Sequence, residues 1–287
     1  MDQVNNESEL MPWWGTFSLK PDTGGRWDVG PSTLWLYRTH REWRVFSRLS
    51  ADSAGVADPM TNRSEIAVPV ESGEMSDVLE LVDQRIKVTR HAFGKTKPRV
   101  VLQPVLADRP VVSRPEQTMH IPAGESITLY ISTALRIQIV LPDSEQVLQE
   151  LPSYQLSDTW FGTTTTRGEF CYASRTSGRL QLDDVPRRFH RAVTPLEVEN
   201  SGADSLVLER VQLPVRHLSL FETSGNTLWT ETVKMTRKSG SDGAEIQIRR
   251  GPPGYAGEAT LLQPPRDSGK KGLFTTTFSA FGALFSS

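Results

Sequence analysis

The strongest constraint on this chain is a period-two alternation of apolar and polar residues, repeated in many short segments. It is clearest at 126–132 (SITLYIS), 135–141 (LRIQIVL), 194–199 (TPLEVE) and 205–213 (SLVLERVQL). Such alternation places one face of a β-strand on a core and the other face toward water. Nineteen prolines and 21 glycines are spread over the 287 residues, which disfavours long helices. We therefore predict a mainly-β fold.

Two hairpins are predicted in the first third of the chain. Residues 33–37 and 43–46 are rich in aromatic and aliphatic side chains, and a short turn at 39–41 separates them. Residues 86–92 and 99–106 predict a second hairpin around a Gly- and Pro-containing turn. Residues 76–85 fit either a short helix or a strand.

A domain boundary is predicted near residue 107. Five of the seven tryptophans precede it, whereas the longest alternating segments follow it. We predict a small N-terminal β domain at 11–106 and a larger C-terminal β-sandwich at 107–255. Residues 256–287 then form a Pro/Gly linker and a Phe-rich amphipathic tail.

Charge and hydropathy limit the function classes. A formal net charge of −2 argues against nucleic-acid binding through a broad positively charged surface. The polar, acidic first ten residues do not resemble a signal peptide, and no apolar run approaches the roughly 20 residues that span a bilayer. These features predict a cytoplasmic protein, with peripheral contact at the inner face of the membrane left open.

The sequence gives little support for catalysis. Cys171 is the single cysteine, and the five histidines lack ligand spacing, so we expect no metal site and no cofactor. Phosphate-binding glycine loops and the serine-hydrolase elbow are missing. Two pairings remain open for an enzyme acting on a small molecule or sugar: Asp158 with Glu169 as carboxylates, and Cys171 with His190 as nucleophile and base.

The segment 151–177 is unusual because aromatic and charged residues alternate closely within it. One interpretation is a strand, a Gly-Thr loop and a second strand, with aromatics in the core. The other is a recognition surface, because Trp and Arg dominate binding hot spots. For that surface we predict partner binding by Trp160, Phe161, Arg167 and Arg175.

The tail carries Phe274, Phe278, Phe281 and Phe285 at spacings of four, three and four. A helix would align these rings in one stripe, whereas a strand would divide them between two faces. We predict that the stripe docks on a protein partner. Folding back onto the β domains remains an alternative. A bare membrane surface is less favoured, since only two lysines precede the stripe.

Several pieces of the chain resemble one known family. They share one order along residues 12–235: WWG at 13–15, RPE at 114–116, IPAGESITLYIST at 121–133, LPSYQLSDTWFG at 151–162, GEFCYASRT at 168–176, HRAVTPLEVEN at 190–200, LERVQLPVRHLSLF at 208–221 and LWTETV at 228–233. This set resembles a bacterial and archaeal family catalogued as a domain of unknown function, number four-three-two. The resemblance brings no catalytic residues. It implies gene neighbours that encode small-conductance mechanosensitive channels, and therefore a channel of that class as a candidate partner.

Taken together, the sequence predicts a non-enzymatic binding or regulatory protein. Its predicted contacts are the surface around 154–175 and the tail, and its predicted partner is a protein, with a membrane channel as the candidate. The oligomeric state is left open.

Overall fold

The structure is a computed structural model, and it describes residues 12–49, 67–70, 86–162, 168–238, 244–268 and 273–276. The described residues divide into two compact units. Unit 1 draws on Met1–Pro104 and Arg136–Gln155, and unit 2 draws on Val105–Leu135 and Leu156–Ser287. The chain therefore passes from unit 1 to unit 2, returns, and crosses again.

Strands dominate both units, so the predicted mainly-β fold is confirmed. Unit 1 contains β1 (Gly15–Ser18), β2 (Thr23–Val29), β3 (Ser32–Arg38), β4 (Glu42–Leu49), β5 (Ala67–Val70), β6 (Lys87–Ala92), β7 (Arg99–Val105), β11 (Arg136–Leu141) and β12 (Gln146–Pro152). Unit 2 contains β8 (Val111–Pro115), β9 (Met119–Ile121), β10 (Ser126–Ala134), β13 (Ser157–Gly162), β14 (Gly168–Gly178), β15 (Arg191–Ser201), β16 (Leu206–Leu208), β17 (Val211–Leu213), β18 (Leu220–Thr223), β19 (Leu228–Thr230), β20 (Thr232–Lys238), β21 (Ala244–Arg249), β22 (Ala259–Gln263) and β23 (Leu273–Thr276). In the described part of unit 2, three short 3₁₀ helices accompany them, at Leu182–Asp184, Val215–His217 and Gly254–Ala256.

Unit 1 is built from two sheets, with strand orders β5-β2-β3-β4-β6 and β1-β7-β11-β12. The predicted first hairpin is confirmed, since β3 pairs with β4 from Arg38↔Trp43 to Ser32↔Leu49. Phe17 of β1 meets Trp27 of β2 edge-on, with ring centroids 5.1 Å apart. This contact joins the two sheets through their apolar side chains.

The predicted second hairpin is wrong. β6 pairs with β4 in the five-stranded sheet, whereas β7 pairs with β1 in the four-stranded sheet. The apolar residues of both segments satisfy a strand pattern equally well, but the alternation does not specify which partner each strand takes.

The sequence placed 107–255 in one domain, but β11 and β12 belong to unit 1. β11 lies next to β7 in the four-stranded sheet, and it pairs with β12 on its other side. The two strands thereby complete the sheet that begins with β1.

Unit 2 is organised around β15, the central strand of an eight-stranded sheet. β15 runs antiparallel to β10 and parallel to both β19 and β20. Leu129, Leu196, Val198 and Val233 from these strands are fully buried. A four-stranded sheet, β13-β14-β8-β17, and a two-stranded ribbon, β16-β9, complete the unit.

Little of the predicted tail falls in the described part of the chain. Leu273–Thr276 forms β23, which pairs with β21 in the register Ile246↔Phe274. Phe274 thus lies on a strand, where the spacing predicts a helix. Phe278, Phe281, Phe285 and the segment 76–85 lie outside the described residues. Within the described residues, no helix has the length and apolar character needed to cross a membrane.

Candidate functional site

The β13–β14 hairpin contains most of the described residues in the predicted recognition segment. Asp158 lies opposite Tyr172, Trp160 opposite Phe170, and Phe161 opposite Glu169. Successive side chains of a strand point to opposite faces of the sheet, and directly opposed residues share a face. The hairpin therefore presents Asp158, Trp160, Phe170 and Tyr172 on one face, which we call the aromatic face.

The aromatic face carries two rings in contact, one of which is exposed. Trp160 and Phe170 meet edge-on, with centroids 5.2 Å apart. Phe170 nevertheless remains 65% exposed, while Trp160 is half-buried. Edge-to-face aromatic pairs contribute roughly 0.5–1.5 kcal/mol beyond the area that they bury, so Trp160 fixes the position of a ring that solvent still reaches.

Gly168 makes this arrangement possible. A Cβ atom at this position would lie 2.8 Å from two atoms of the Trp160 indole and 2.5 Å from the carbonyl oxygen of Phe161. The absence of a side chain at Gly168 therefore lets the indole approach the neighbouring strand closely.

Charged groups frame the Tyr172 end of the aromatic face. The Tyr172 hydroxyl donates to Asp108 over 3.1 Å, and the Arg109 guanidinium lies over the Tyr172 ring, 5.4 Å from its centroid. Arg109 also forms an ion pair with Asp158, with 3.3 Å between the charged atoms. Tyr172 is further held by its backbone N–H, which donates to the Pro110 carbonyl over 2.9 Å.

The opposite face of the hairpin belongs to the core of unit 2. Phe161 is 1% exposed and packs with Cys171 and Val112. The predicted partner-binding residue Phe161 is thus placed beneath the surface, where it supports the strand that carries Trp160.

Cys171 lies in a poor environment for a nucleophile. Burial raises the pKa of its thiol to about 11, and the nearby charge of Glu169 acts in the same direction. The Gln212 amide donates to the sulfur over 3.2 Å, which opposes part of that rise in pKa. The thiol donates to the Glu169 carbonyl, and among the described residues the hydrogen-bond partners of this sulfur are Glu169 and Gln212 rather than His190.

Asp158 and Glu169 are not brought together. The register places Asp158 on the aromatic face and Glu169 on the core side of the hairpin. Glu169 accepts a hydrogen bond from the Gln212 amide over 2.5 Å, whereas Asp158 pairs with Arg109. The two carboxylates therefore have no common site at which to act as acid and base.

The two arginines predicted for this surface are not placed by the structure. Arg167 lies outside the described residues, and of Arg175 only the backbone, within β14, is described. Arg109, Phe170 and Tyr172 belong to this face or lie beside it, but they were not among the predicted partner-binding residues. The alternation of side chains along the two strands that flank the Gly-Thr loop would have placed Trp160 and Phe170 on the same face. No local pattern in the sequence points to Arg109.

Potential metal ligands are dispersed. Across the part of the chain that the structure describes, no three or more His, Cys, Asp or Glu residues gather in a way that could hold a metal ion.

Comparison with known proteins identifies one family. A family model described as "Protein of unknown function (DUF432)" matches residues 13–282. Neither a curated protein nor a solved structure matches the chain. The family that the sequence resembles and the family whose model matches are the same.

Proposed function

The chain belongs to the DUF432 family, and on that premise we propose that it is a binding protein that recognises a protein partner through the aromatic face. Asp158, Trp160, Phe170 and Tyr172 form the surface, and Arg109 frames it. Unit 2 acts as the rigid scaffold on which these side chains are held.

The observation that carries this proposal is the exposure of Phe170 beside a ring that fixes it. A lone exposed apolar residue is ordinary on a protein surface. Phe170, however, is braced edge-on by Trp160, and Gly168 leaves space for the bracing ring. A positioned aromatic side chain loses little conformational freedom when a partner covers it, which favours tight binding.

The charged frame fits the same role. Arg109 over Tyr172 combines a planar guanidinium with an aromatic ring, and Trp, Tyr and Arg are the residue types enriched in binding hot spots. The ion pair between Arg109 and Asp158 is exposed, so it contributes little to folding stability and stays available for exchange with a partner's charges.

A channel of the small-conductance mechanosensitive class is the candidate partner, on the strength of the family resemblance alone. The tail is the second proposed contact, because the spacing of Phe278, Phe281 and Phe285 predicts an apolar helical stripe. A protein that binds a channel through these two surfaces would act as a regulatory accessory at the inner face of the membrane.

The proposal is tested by measuring the binding of the full chain to a purified channel of the small-conductance mechanosensitive class, held in lipid nanodiscs. Phe170→Ala should lower the affinity roughly tenfold or more, since a central aromatic anchor is lost. Leu261→Ala is the matched control, because Leu261 is also exposed in unit 2 but lies on β22, in another sheet.

Unchanged affinity for Phe170→Ala would remove the aromatic face from the proposal. Equal loss for Phe170→Ala and Leu261→Ala would show that the binding is not specific to that face. No binding by the unmodified chain would exclude the channel as the partner.

A further inference from the structure

The pairing of two long segments of unit 2 is interrupted at one point. Ser113 pairs with Val211 at the end of the β8–β17 ladder, and pairing resumes with Met119 and Leu208 in the β9–β16 ribbon. Between these points, five residues (114–118) face only two (209–210). Such an inequality bends the longer segment away from its partner and opens space between them.

A cavity of about 320 Å³ occupies this opening, and it is lined by residues 114–118 together with Glu209 and Arg210. Its volume lies at the lower end of the range of small-ligand sites. The walls come from the chain segments that leave the ladder, so the cavity is a consequence of the strand register.

One wall is held in place by the core. The Arg210 guanidinium lies over the ring of Phe161, 5.1 Å from its centroid, and Phe161 is anchored by Val112 and Cys171. An arginine restrained in this way loses less entropy when its planar group of N–H donors meets a carboxylate. Arg114, whose side chain is exposed, extends the same positive lining at the end of β8.

The lining also contains two carboxylates, Glu116 and Glu209. In the described part of the chain, no ion pair is formed by the four charged side chains of the lining, Arg114, Arg210, Glu116 and Glu209. A simple anion would meet the two glutamates, and a simple cation would meet the two arginines. A ligand that carries both charges finds a partner of opposite sign in both pairs of side chains.

We propose that this cavity binds a small zwitterion with the chemistry of a free α-amino acid. Arg210 and Arg114 receive the carboxylate, since guanidinium groups bind carboxylates through paired N–H donors. Glu209 and Glu116 accept hydrogen bonds from the ammonium group. This site is separate from the aromatic face, so it stands or fails independently of the proposed function.

The test is isothermal titration calorimetry of the full chain with each of the common free L-amino acids as probe, at concentrations up to about 10 mM. For each amino acid that binds, the N-acetyl derivative lacks the ammonium charge and the carboxamide lacks the carboxylate charge. Arg210→Gln and Glu209→Gln change the cavity, and so does Arg114→Gln, at an exposed position where we expect little effect on folding. Arg249→Gln is the control, since Arg249 lies on β21, pairs with Glu197 and is not part of the lining.

Binding of at least one amino acid is expected. Loss of either charge from the probe, and each cavity substitution, should weaken that binding roughly tenfold, whereas Arg249→Gln should not. The proposal is overturned if no amino acid binds, if binding survives both derivatives, or if acetate alone binds as tightly as the amino acid.

Discussion

Trp160 and Phe170 lie directly opposite each other on β13 and β14, and their rings meet edge-on at 5.2 Å. One ring is half-buried and the other is exposed, so the pair joins the body of unit 2 to its surface. The next residue along β13, Phe161, points into the core. Phe161, Trp160 and Phe170 are therefore buried, half-buried and exposed, respectively. We expect substitution of the buried ring to lower stability and substitution of the exposed ring to lower partner binding.

Alanine substitution should rank these three residues by their effect on the free energy of unfolding. Phe161→Ala should cost about 3–5 kcal/mol, because it empties a core position. Trp160→Ala should cost about 1–2 kcal/mol, since part of the ring is exposed, and Phe170→Ala about 0.5–1 kcal/mol, because it loses the edge-on ring contact but little buried area. Urea denaturation of the three variants measures the order, and a large loss for Phe170→Ala would contradict it.

Gly168→Ala should displace the Trp160 ring of the aromatic face. The added methyl group would clash with the Trp160 indole and with the backbone of β13, so we expect a loss of about 1–3 kcal/mol and a changed near-ultraviolet circular dichroism signal. Gly225→Ala is the control, because a Cβ atom there meets no atom within 4 Å. Equal behaviour of the two variants would show that the indole does not lie over Gly168.

Cys171 should make stability depend on pH in the alkaline range. The folded-state pKa is about 11 and the ordinary thiol value is 9.0, so below pH 9 both states hold the proton and the stabilisation is complete. Between pH 9 and 11 the unfolded chain loses its proton first, and the free energy of unfolding should fall by roughly 2–3 kcal/mol.

Cys171→Ala removes this titration while leaving the tyrosines of the chain unchanged. The difference between the two proteins in urea denaturation from pH 8 to 11 isolates the thiol. A difference that stays constant over that range would contradict the raised pKa.

Two truncations should separate the strand of the tail from its remaining phenylalanines. Removing 270–287 also removes β23, whose backbone pairs with β21, so we expect a loss of about 1–3 kcal/mol. Removing only 277–287 should leave the melting temperature nearly unchanged and weaken partner binding, if the stripe docks on a partner. A large drop in stability for the shorter truncation would show instead that these residues pack on the chain itself.

Local chemistry was enough to predict several of the strands and one hairpin. The alternation at 126–132 became β10, the alternation at 135–141 became β11, and the short turn at 39–41 joined β3 to β4. These features depend on neighbouring residues, because a strand needs only its own alternation and a tight turn needs only its own few residues.

The faces of the β13–β14 hairpin were not predictable in the same way. Both faces carry aromatic side chains, so the alternation does not tell which face meets the core. The pairing of β14 with β8 brings Val112 beneath Cys171 and Phe161, and this contact leaves Phe170 on the solvent side.

The sequence by itself determined that the chain forms short strands, where many of them lie, and which family it belongs to. Only the tertiary structure decided that β7 joins β1 and β11, that Asp158 and Glu169 face opposite ways, and that residues 114–118 bulge over a cavity. The physical reason is that strand pairing joins residues far apart in the chain. The alternation within one strand is compatible with several partner strands and registers. The packing of the whole unit selects one of these pairings.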